Sequence, residues 1–213
     1  MATYDLDEQE RLDELKTWWK RWGNLVLIAL AVVIAAAAGW RYWQNRVVTQ
    51  SLEAATVYER LTESLQAGDV KAARDAGTLL IDQYKSTAYA PRAALLLARA
   101  DVTARDLKSA QARLAWAASQ TKEPALRDLA RLRLAGVQLD LQDYAAALKT
   151  LSAAHSDAYA FRFLDLKGDV LLAQGKRGEA RAAYEAAYGK LAENDPYRTI
   201  VELKLDALGG ASK

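Results

Sequence analysis

The residues that could carry out catalysis or bind a metal are few in this sequence. His155 is the single histidine and cysteine is absent, so the chain offers neither a cysteine–histidine zinc site nor a thiol nucleophile. Asp165 and Asp169 stand one helical turn apart, a spacing that we interpret as a solvated helix face rather than a catalytic acid–base pair. The segment GKRG at 175–178 lacks the remainder of a phosphate-binding loop. The sequence therefore predicts a protein without enzymatic activity, cofactor or metal.

The composition is that of a folded chain without a preference for polyanions. Of the 213 residues, 52% are hydrophobic and 26% are charged, and the formal net charge is +2. A nearly balanced charge without a basic cluster is no signature of nucleic-acid binding. The length allows a membrane anchor and one further domain.

The longest apolar run lies near the N-terminus. Residues 24–43 read NLVLIALAVVIAAAAGWRYW, and as a helix they would span about 30 Å, the thickness of a bilayer core. Five tryptophans stand near the two ends of this run, as in an aromatic belt at both interfaces: Trp18, Trp19, Trp22, Trp40 and Trp43. We therefore predict one transmembrane helix at 24–43 that contacts membrane lipid.

Two alternatives to a permanent anchor are a cleaved signal peptide and a buried helix of a soluble protein. The alanines at 35–38 offer a small-residue cleavage pattern. The long acidic leader YDLDEQERLDEL and the second aromatic boundary favour the anchor instead. Basic residues near the two ends favour only slightly an N-terminus in the cytosol and a C-terminal domain on the opposite side of the membrane.

The segment before the anchor, residues 1–23, has an amphipathic pattern. Leu12, Leu15, Trp19 and Trp22 recur at helical spacing and give one apolar stripe beside a charged face. We interpret this cytosolic segment as a helix at the membrane interface, and a docking helix for a cytosolic partner is the alternative.

The rest of the chain has an internal repeat. The turn segments AGDVKAA, ARDLKSA, LQDYAAA and QGKRGEA place an alanine at 73, 110, 147 and 180, so that the period is 37, 37 and 33 residues. A helical period near 34 is typical of tetratricopeptide hairpins. The fold class predicted is all-α: the anchor, then a right-handed solenoid of about four hairpins and a C-terminal capping helix within residues 44–208, and a flexible tail at 209–213.

The repeat register predicts which residues pack the helices together. Small residues allow close approach and an aromatic ring fills the next gap; the predicted packing residues are Ala73, Ala110, Ala147, Ala180, Gly168 and Tyr184. A further column of the repeat, seven residues after each of these alanines, consists of Leu80, Ala117, Ala154 and Ala187, and Gly77 leaves the aromatic position of the first repeat without a ring. Helix caps are predicted at Asp69, Asp106, Asp143 and Asp195, and left-handed turns at Gly68 and Gly175.

A solenoid offers a concave wall of first helices on which a partner can bind. By register the candidate partner-binding residues are Tyr58, Thr62, Arg92, Arg99, Arg162, Asp165 and Asp169. Tyr58 and Thr62 stand where a carboxylate-binding clamp would need lysine and asparagine, so that clamp is not expected.

The order of a short cytosolic helix, an anchor ending in GWRYWQ, and AATVYERL opening the repeats resembles the YfgM family along essentially the whole chain. The resemblance implies a non-enzymatic inner-membrane adaptor with a periplasmic domain. Its implied partners are the SecYEG translocon and the anchored periplasmic chaperone PpiD, and its implied role is to link protein export to periplasmic chaperones. The alternative is a periplasmic scaffold for envelope assembly or division that does not meet the translocon.

Overall fold

The computed structural model describes residues 3–209, with the side chains of residue 12 and of residues 14–209. Within this range the chain is all-helical and contains no strand, which confirms the predicted fold class. One 3-10 turn, Asp157–Tyr159, lies between the sixth and seventh α-helices. The α-helices are α1 Thr3–Gln66, α2 Val70–Gln83, α3 Tyr89–Thr103, α4 Leu107–Gln120, α5 Pro124–Asp140, α6 Tyr144–Leu151, α7 Ala160–Ala173, α8 Arg177–Tyr188 and α9 Tyr197–Ala207.

The chain divides into two compact units, Met1–Gln50 and Ser51–Lys213, and α1 contributes residues to both. The predicted boundaries after residues 23 and 43 fall inside α1 and remain predictions. Residues 210–213 of the predicted flexible tail lie outside the described residues, as do residues 1 and 2.

The first unit contains an exposed apolar helix. Among the described residues, one helix, near the N-terminus, is long and apolar enough to cross a membrane. Its aliphatic side chains are exposed, Ile28 by 61% and Val33 by 64%, which differs from the buried core helix of a soluble protein. At the start of the apolar run, Gly23 is covered by the indole of Trp19. The rings of Trp40 and Trp43 lie 5.4 Å apart at its end.

The second unit consists of helical hairpins in sequence order. The C-terminal part of α1 packs with α2 and α3 through Ala54, Leu61 and Leu80. The pairs α3–α4, α5–α6 and α7–α8 form the next hairpins, and α9 packs on α8 through Val201. The alanines predicted in the close-approach column, Ala73, Ala110, Ala147 and Ala180, are all at most 1% exposed.

The turns inside the hairpins share one backbone geometry. The residue before each cap is left-handed, with φ of 74° at Gly68 and 78° at Gly175. In the second and third repeats Arg105 and Gln142 adopt the same conformation, which glycine would accept more readily. The aspartate caps are confirmed, because Asp69, Asp106 and Asp143 each accept a hydrogen bond from a backbone N–H three residues on.

Two predicted helix positions differ from the structure. Asp195 accepts a hydrogen bond from the Tyr197 amide at 2.9 Å, but α9 begins at Tyr197, one residue later than the proline rule suggested. In the third repeat α6 ends at Leu151, so Ala154 is exposed, unlike the buried Leu80, Ala117 and Ala187 of the same column.

The early end of α6 has a visible cause in the loop that follows it. The buried carboxylate of Asp128 on α5 accepts hydrogen bonds from the Ser156 amide at 2.9 Å and from its hydroxyl at 2.8 Å. Arg131 donates to the Ala154 carbonyl at 2.8 Å. These bonds hold residues 154–156 against α5 in a non-helical path, where a continued α6 could not place them.

Candidate partner-binding surface

The wall residues of the first repeat lie on α1 and are partly exposed. The ring of Tyr58 packs against that of Tyr89 on α3, with centroids 5.4 Å apart. The Thr62 hydroxyl donates to the Glu59 carbonyl at 2.8 Å. The tyrosine pair therefore joins two successive first helices at the proposed wall.

The two arginines of the second repeat have different surroundings. Arg92 donates to both carboxylate oxygens of Glu123 at 2.8 Å and to the Ala88 carbonyl at 2.7 Å. This ion pair, in which one guanidinium nitrogen of Arg92 contacts both carboxylate oxygens, ties α3 to the start of α5. Arg99 is exposed and lies at the edge of an apolar cavity between α3 and α5. Arg99 is thus the more available of the two for a partner.

Arg162 is the first wall residue of the fourth repeat, and it contacts the last helix. Its guanidinium lies 5.5 Å from the ring centroid of Phe161 and 5.3 Å from that of Tyr197. The two rings meet edge to face at 5.3 Å. These cation–π and aromatic contacts connect the start of α7 with the start of α9.

Asp165 and Asp169 form an ion-paired network with α9, which differs from the solvated helix face expected from the sequence. Lys204 donates to Asp165 at 2.8 Å and to both oxygens of Asp169 at 2.8 and 2.9 Å. The Tyr184 hydroxyl donates to Asp169 at 2.8 Å. Side-chain exposures of 16% for Asp165 and 31% for Asp169 reflect this coverage by the capping helix.

The network shifts the protonation equilibria of its members. Burial raises the pKa of Asp165, against the opposing effect of Lys204. Burial would lower the pKa of Lys204, but its hydrogen bonds to the two aspartates and their charges raise that pKa overall. Burial and the hydrogen bond to Asp169 raise the pKa of the Tyr184 phenol. The folded protein therefore favours a charged lysine and a neutral tyrosine.

The remaining predicted packing residues lie at the same place. Gly168 is buried directly beneath Tyr184, where an added Cβ would come within 2.3 Å of the ring. Tyr184 is fully buried. In the first repeat, Leu97 from α3 covers Gly77 and fills the gap left by the missing aromatic ring.

The described residues contain no cluster of acidic, histidine or cysteine side chains that could hold a metal ion. His155 is exposed, and its ring lies 4.3 Å from that of Phe163. This ring contact packs His155, in the loop after α6, against Phe163 of α7. The exposed side chain of Arg99 and the apolar cavity beside it are surfaces suited to binding.

Sequence reasoning missed two features of this surface. Lys204 stands 35 residues after Asp169, and no periodic signal relates the capping helix to a particular carboxylate. Gly136 leaves a gap in the wall of the third repeat, and the sequence contained a signal for this gap. The repeat register places Gly136 in line with Thr62, Arg99 and Asp169, so a missing side chain was visible in the sequence.

Comparisons with known proteins agree with this architecture. A family model described as a tetratricopeptide repeat-like domain matches residues 16–210. A Neisseria gonorrhoeae protein named ancillary SecYEG translocon subunit is 31% identical, over 95% of this chain and 98% of its own length. The chain belongs to the family of ancillary SecYEG translocon subunits.

Two further members of this family have similar identities. The Haemophilus influenzae protein is 30% identical over 86% of this chain and 90% of its own length. The Escherichia coli protein is 30% identical over 87% of this chain and 89% of its own length. The YfgM resemblance predicted from the sequence is confirmed.

Proposed function

We propose that this protein is a non-enzymatic, single-pass adaptor of the inner membrane that associates with the SecYEG translocon. The observation that carries the proposal is the 31% identity to a relative named ancillary SecYEG translocon subunit, along 95% of this chain. The exposed apolar helix and the hairpin repeats support it, because one suits an anchor in lipid and the other suits protein binding.

The finer proposal concerns topology and partners. Residues 1–23 lie in the cytosol, residues 24–43 cross the membrane and residues 44–208 lie in the periplasm. There the repeat domain contacts the anchored chaperone PpiD and links the translocon to periplasmic chaperones. An anchored domain reaches an effective concentration of about 1 mM near its partners, so weak contacts at the wall suffice.

Photo-crosslinking in native membranes tests this function. A crosslinking residue is placed at Tyr58, Arg99 or Arg162 of the full chain, and Ala112, an exposed position on the second helix of a hairpin, serves as the control. We expect the wall positions to capture a translocon subunit or a membrane-anchored chaperone more often than Ala112 does. Capture of only envelope-assembly or division proteins would instead support the scaffold alternative.

Exchanging the anchor separates tethering from contact. Residues 12–43 are replaced by an unrelated membrane anchor, while the repeat domain and its crosslinking residue are kept. A weaker crosslink to the translocon is expected if the native anchor contributes specific contacts. An unchanged crosslink would assign the recognition to the repeat domain alone.

A further inference from the structure

A cavity of about 370 Å³ opens between α3, α4 and α5. Its floor is apolar and is formed by Ala98, Leu114 and Val137, which are 1%, 1% and 5% exposed. Its rim carries the exposed side chains of Arg99 and Arg133, with Asp140 beside them. An apolar floor with a few charged groups at the opening is the usual construction of a ligand pocket.

Gly136 keeps the cavity open. The same wall position is held in the four repeats by Thr62, Arg99, Gly136 and Asp169, which follow one another at intervals of 37, 37 and 33 residues. In the other three repeats this position carries a polar side chain. A Cβ added at Gly136 would meet no atom within 4 Å. The wall therefore lacks one side chain at this repeat, and the space it leaves belongs to the cavity.

Helix packing does not require this glycine. At Gly77 and Gly168 an added Cβ would approach Leu97 to 2.5 Å and Tyr184 to 2.3 Å, so close packing accounts for both. Gly136 has no such neighbour, although glycine inside a helix such as α5 is less stable than alanine. Its effect in the folded protein is the open space on the wall.

The charges at the rim determine which ligand fits. Arg92 and Arg113 each pair with a carboxylate of this chain, Glu123 and Asp101 respectively. Among the described side chains Arg99 and Arg133 form no ion pair, so two guanidinium groups face solvent beside an apolar opening. Asp140 is the one carboxylate in the lining of this cavity, so two guanidinium groups stand against one negative charge. Guanidinium groups bind carboxylates with two parallel hydrogen bonds, and an anionic ligand is therefore favoured.

We propose that this cavity binds a large apolar side chain of a partner protein segment, and that acidic residues next to it pair with Arg99 and Arg133. The inference rests on the proposed adaptor function, and it specifies the class of segment that the wall recognises. The apolar floor accepts the large apolar side chain of the segment and removes that side chain's surface from water, while the rim selects the sign of the flanking charges.

Peptide binding to the full-length protein in lipid nanodiscs tests the pocket. The probes are fluorescent peptides with blocked ends: GSELFDSG, its charge-inverted form GSKLFKSG, and GSEAADSG, which lacks the large apolar residues. Fluorescence anisotropy at low salt is expected to show at least tenfold tighter binding of the first peptide than of either other. Similar affinities for all three peptides would overturn the proposal.

Two glycines provide a matched pair of variants. Gly136→Leu places four carbon atoms in the cavity and is expected to weaken binding of GSELFDSG at least tenfold. Gly178→Leu introduces the same side chain in α8, at a helix position that is also open, and is expected to leave binding unchanged. Thermal unfolding of both variants reports whether the repeat domain has kept its fold. Unchanged binding by a folded Gly136→Leu variant would contradict the pocket.

A charge reversal provides a test that does not depend on the glycine. The double variant Arg99→Glu, Arg133→Glu is expected to prefer GSKLFKSG over GSELFDSG, and an unaltered preference would overturn the role of the rim. No translocon is present in this assay. If no translocon subunit or anchored chaperone is crosslinked while the peptide preference is as expected, the adaptor function is refuted and the pocket is not. If the crosslinks form while the peptide preference is absent, the pocket is refuted and the adaptor function is not.

Discussion

Single residues set how closely the helices of each repeat approach one another. Gly168 lies under the ring of Tyr184, and Gly77 lies under Leu97, so each absent side chain is replaced by a neighbour from another helix. Gly178, in contrast, has no atom within 4 Å of its missing Cβ. Close packing therefore requires glycine at positions 168 and 77 but not at position 178.

Alanine substitutions at Gly168 and Gly178 should have effects of opposite sign on stability. Gly168→Ala places a methyl group against a buried ring and is expected to lower the free energy of unfolding by about 1–3 kcal/mol through overpacking. Gly178→Ala gains helix propensity without a clash and is expected to raise it by about 0.5–1 kcal/mol. Chemical denaturation of the two variants measures both changes, and equal shifts would contradict the packing described for Tyr184.

The sequence indicated the small residues of the repeats but not the buried charges. Ala73 and Ala147 follow from the period alone, because close helix approach at a fixed spacing requires a small side chain. Asp101 is 1% exposed and pairs with Arg113 at 2.7 Å and Arg74 at 3.2 Å. An aspartate inside a helix usually faces solvent, so its burial depends on partners that only the folded chain brings together.

At the scale of elements, three of the four hairpins start their second helix with the same device. The cap residues Asp69, Asp106 and Asp143 have φ between −80° and −87° and ψ between 69° and 84°, and each accepts a backbone hydrogen bond. Lys176 stands at the corresponding place before α8, with φ −85° and ψ 64°, and its side chain has no acceptor to offer.

Lys176→Asp should therefore supply the missing cap. Because the backbone already has the geometry of the three aspartate caps, the variant is expected to raise the free energy of unfolding by about 1 kcal/mol. The negative charge also complements the dipole at the start of α8. Lys176→Ala is the control for the loss of the exposed pair with Glu179, and a similar stability of the two variants in thermal unfolding would contradict the cap argument.

The attachment of α9 should weaken at high pH. The folded protein raises the pKa of Tyr184 above its ordinary value of 10.0 and that of Lys204 above 10.5. Both groups thus hold protons more strongly in the folded state, so their contribution is complete below pH 10.0 and is lost as pH rises through the folded-state pKa values. Stability measured from about pH 9 to about pH 12 is expected to fall less steeply for Tyr184→Phe and Lys204→Met, and parallel curves would exclude this linkage.

The period of the repeats predicted where hairpins turn, but it did not predict how long each helix runs. The short α6 depends on Asp128, which holds Ser156 from a distance of 28 residues. The sequence pattern SAAHSDA is compatible with a turn, and it is equally compatible with a continued helix in which Ala154 keeps the repeat register. Tertiary hydrogen bonds favour the turn over the continued helix.

For the whole molecule, two features support a membrane protein of this family: the apolar helix of the first unit and the repeats of the second. The exposed apolar helix was predictable from its long run of apolar residues, whereas the crossing of a membrane by residues 24–43 remains a prediction from bilayer thickness and the flanking aromatic residues. The wall cavity was less predictable, since it follows from the absence of a side chain at Gly136. Orientation has the weakest sequence signal, because basic residues occur on both sides of the anchor.

Cysteine labelling should determine that orientation, and the natural chain has no cysteine that would interfere. The single variants are Glu14→Cys, before the apolar run, and Ala112→Cys, in the repeat domain; both positions are exposed. With the proposed topology, a membrane-impermeant maleimide added to spheroplasts should label Ala112→Cys at once and Glu14→Cys only after lysis, because the bilayer excludes the charged reagent from the cytosol. The inverse pattern would place the repeats in the cytosol and refute the periplasmic assignment. Early labelling of both positions in intact spheroplasts would mean that residues 24–43 do not separate them by a membrane, and the anchor itself would be refuted.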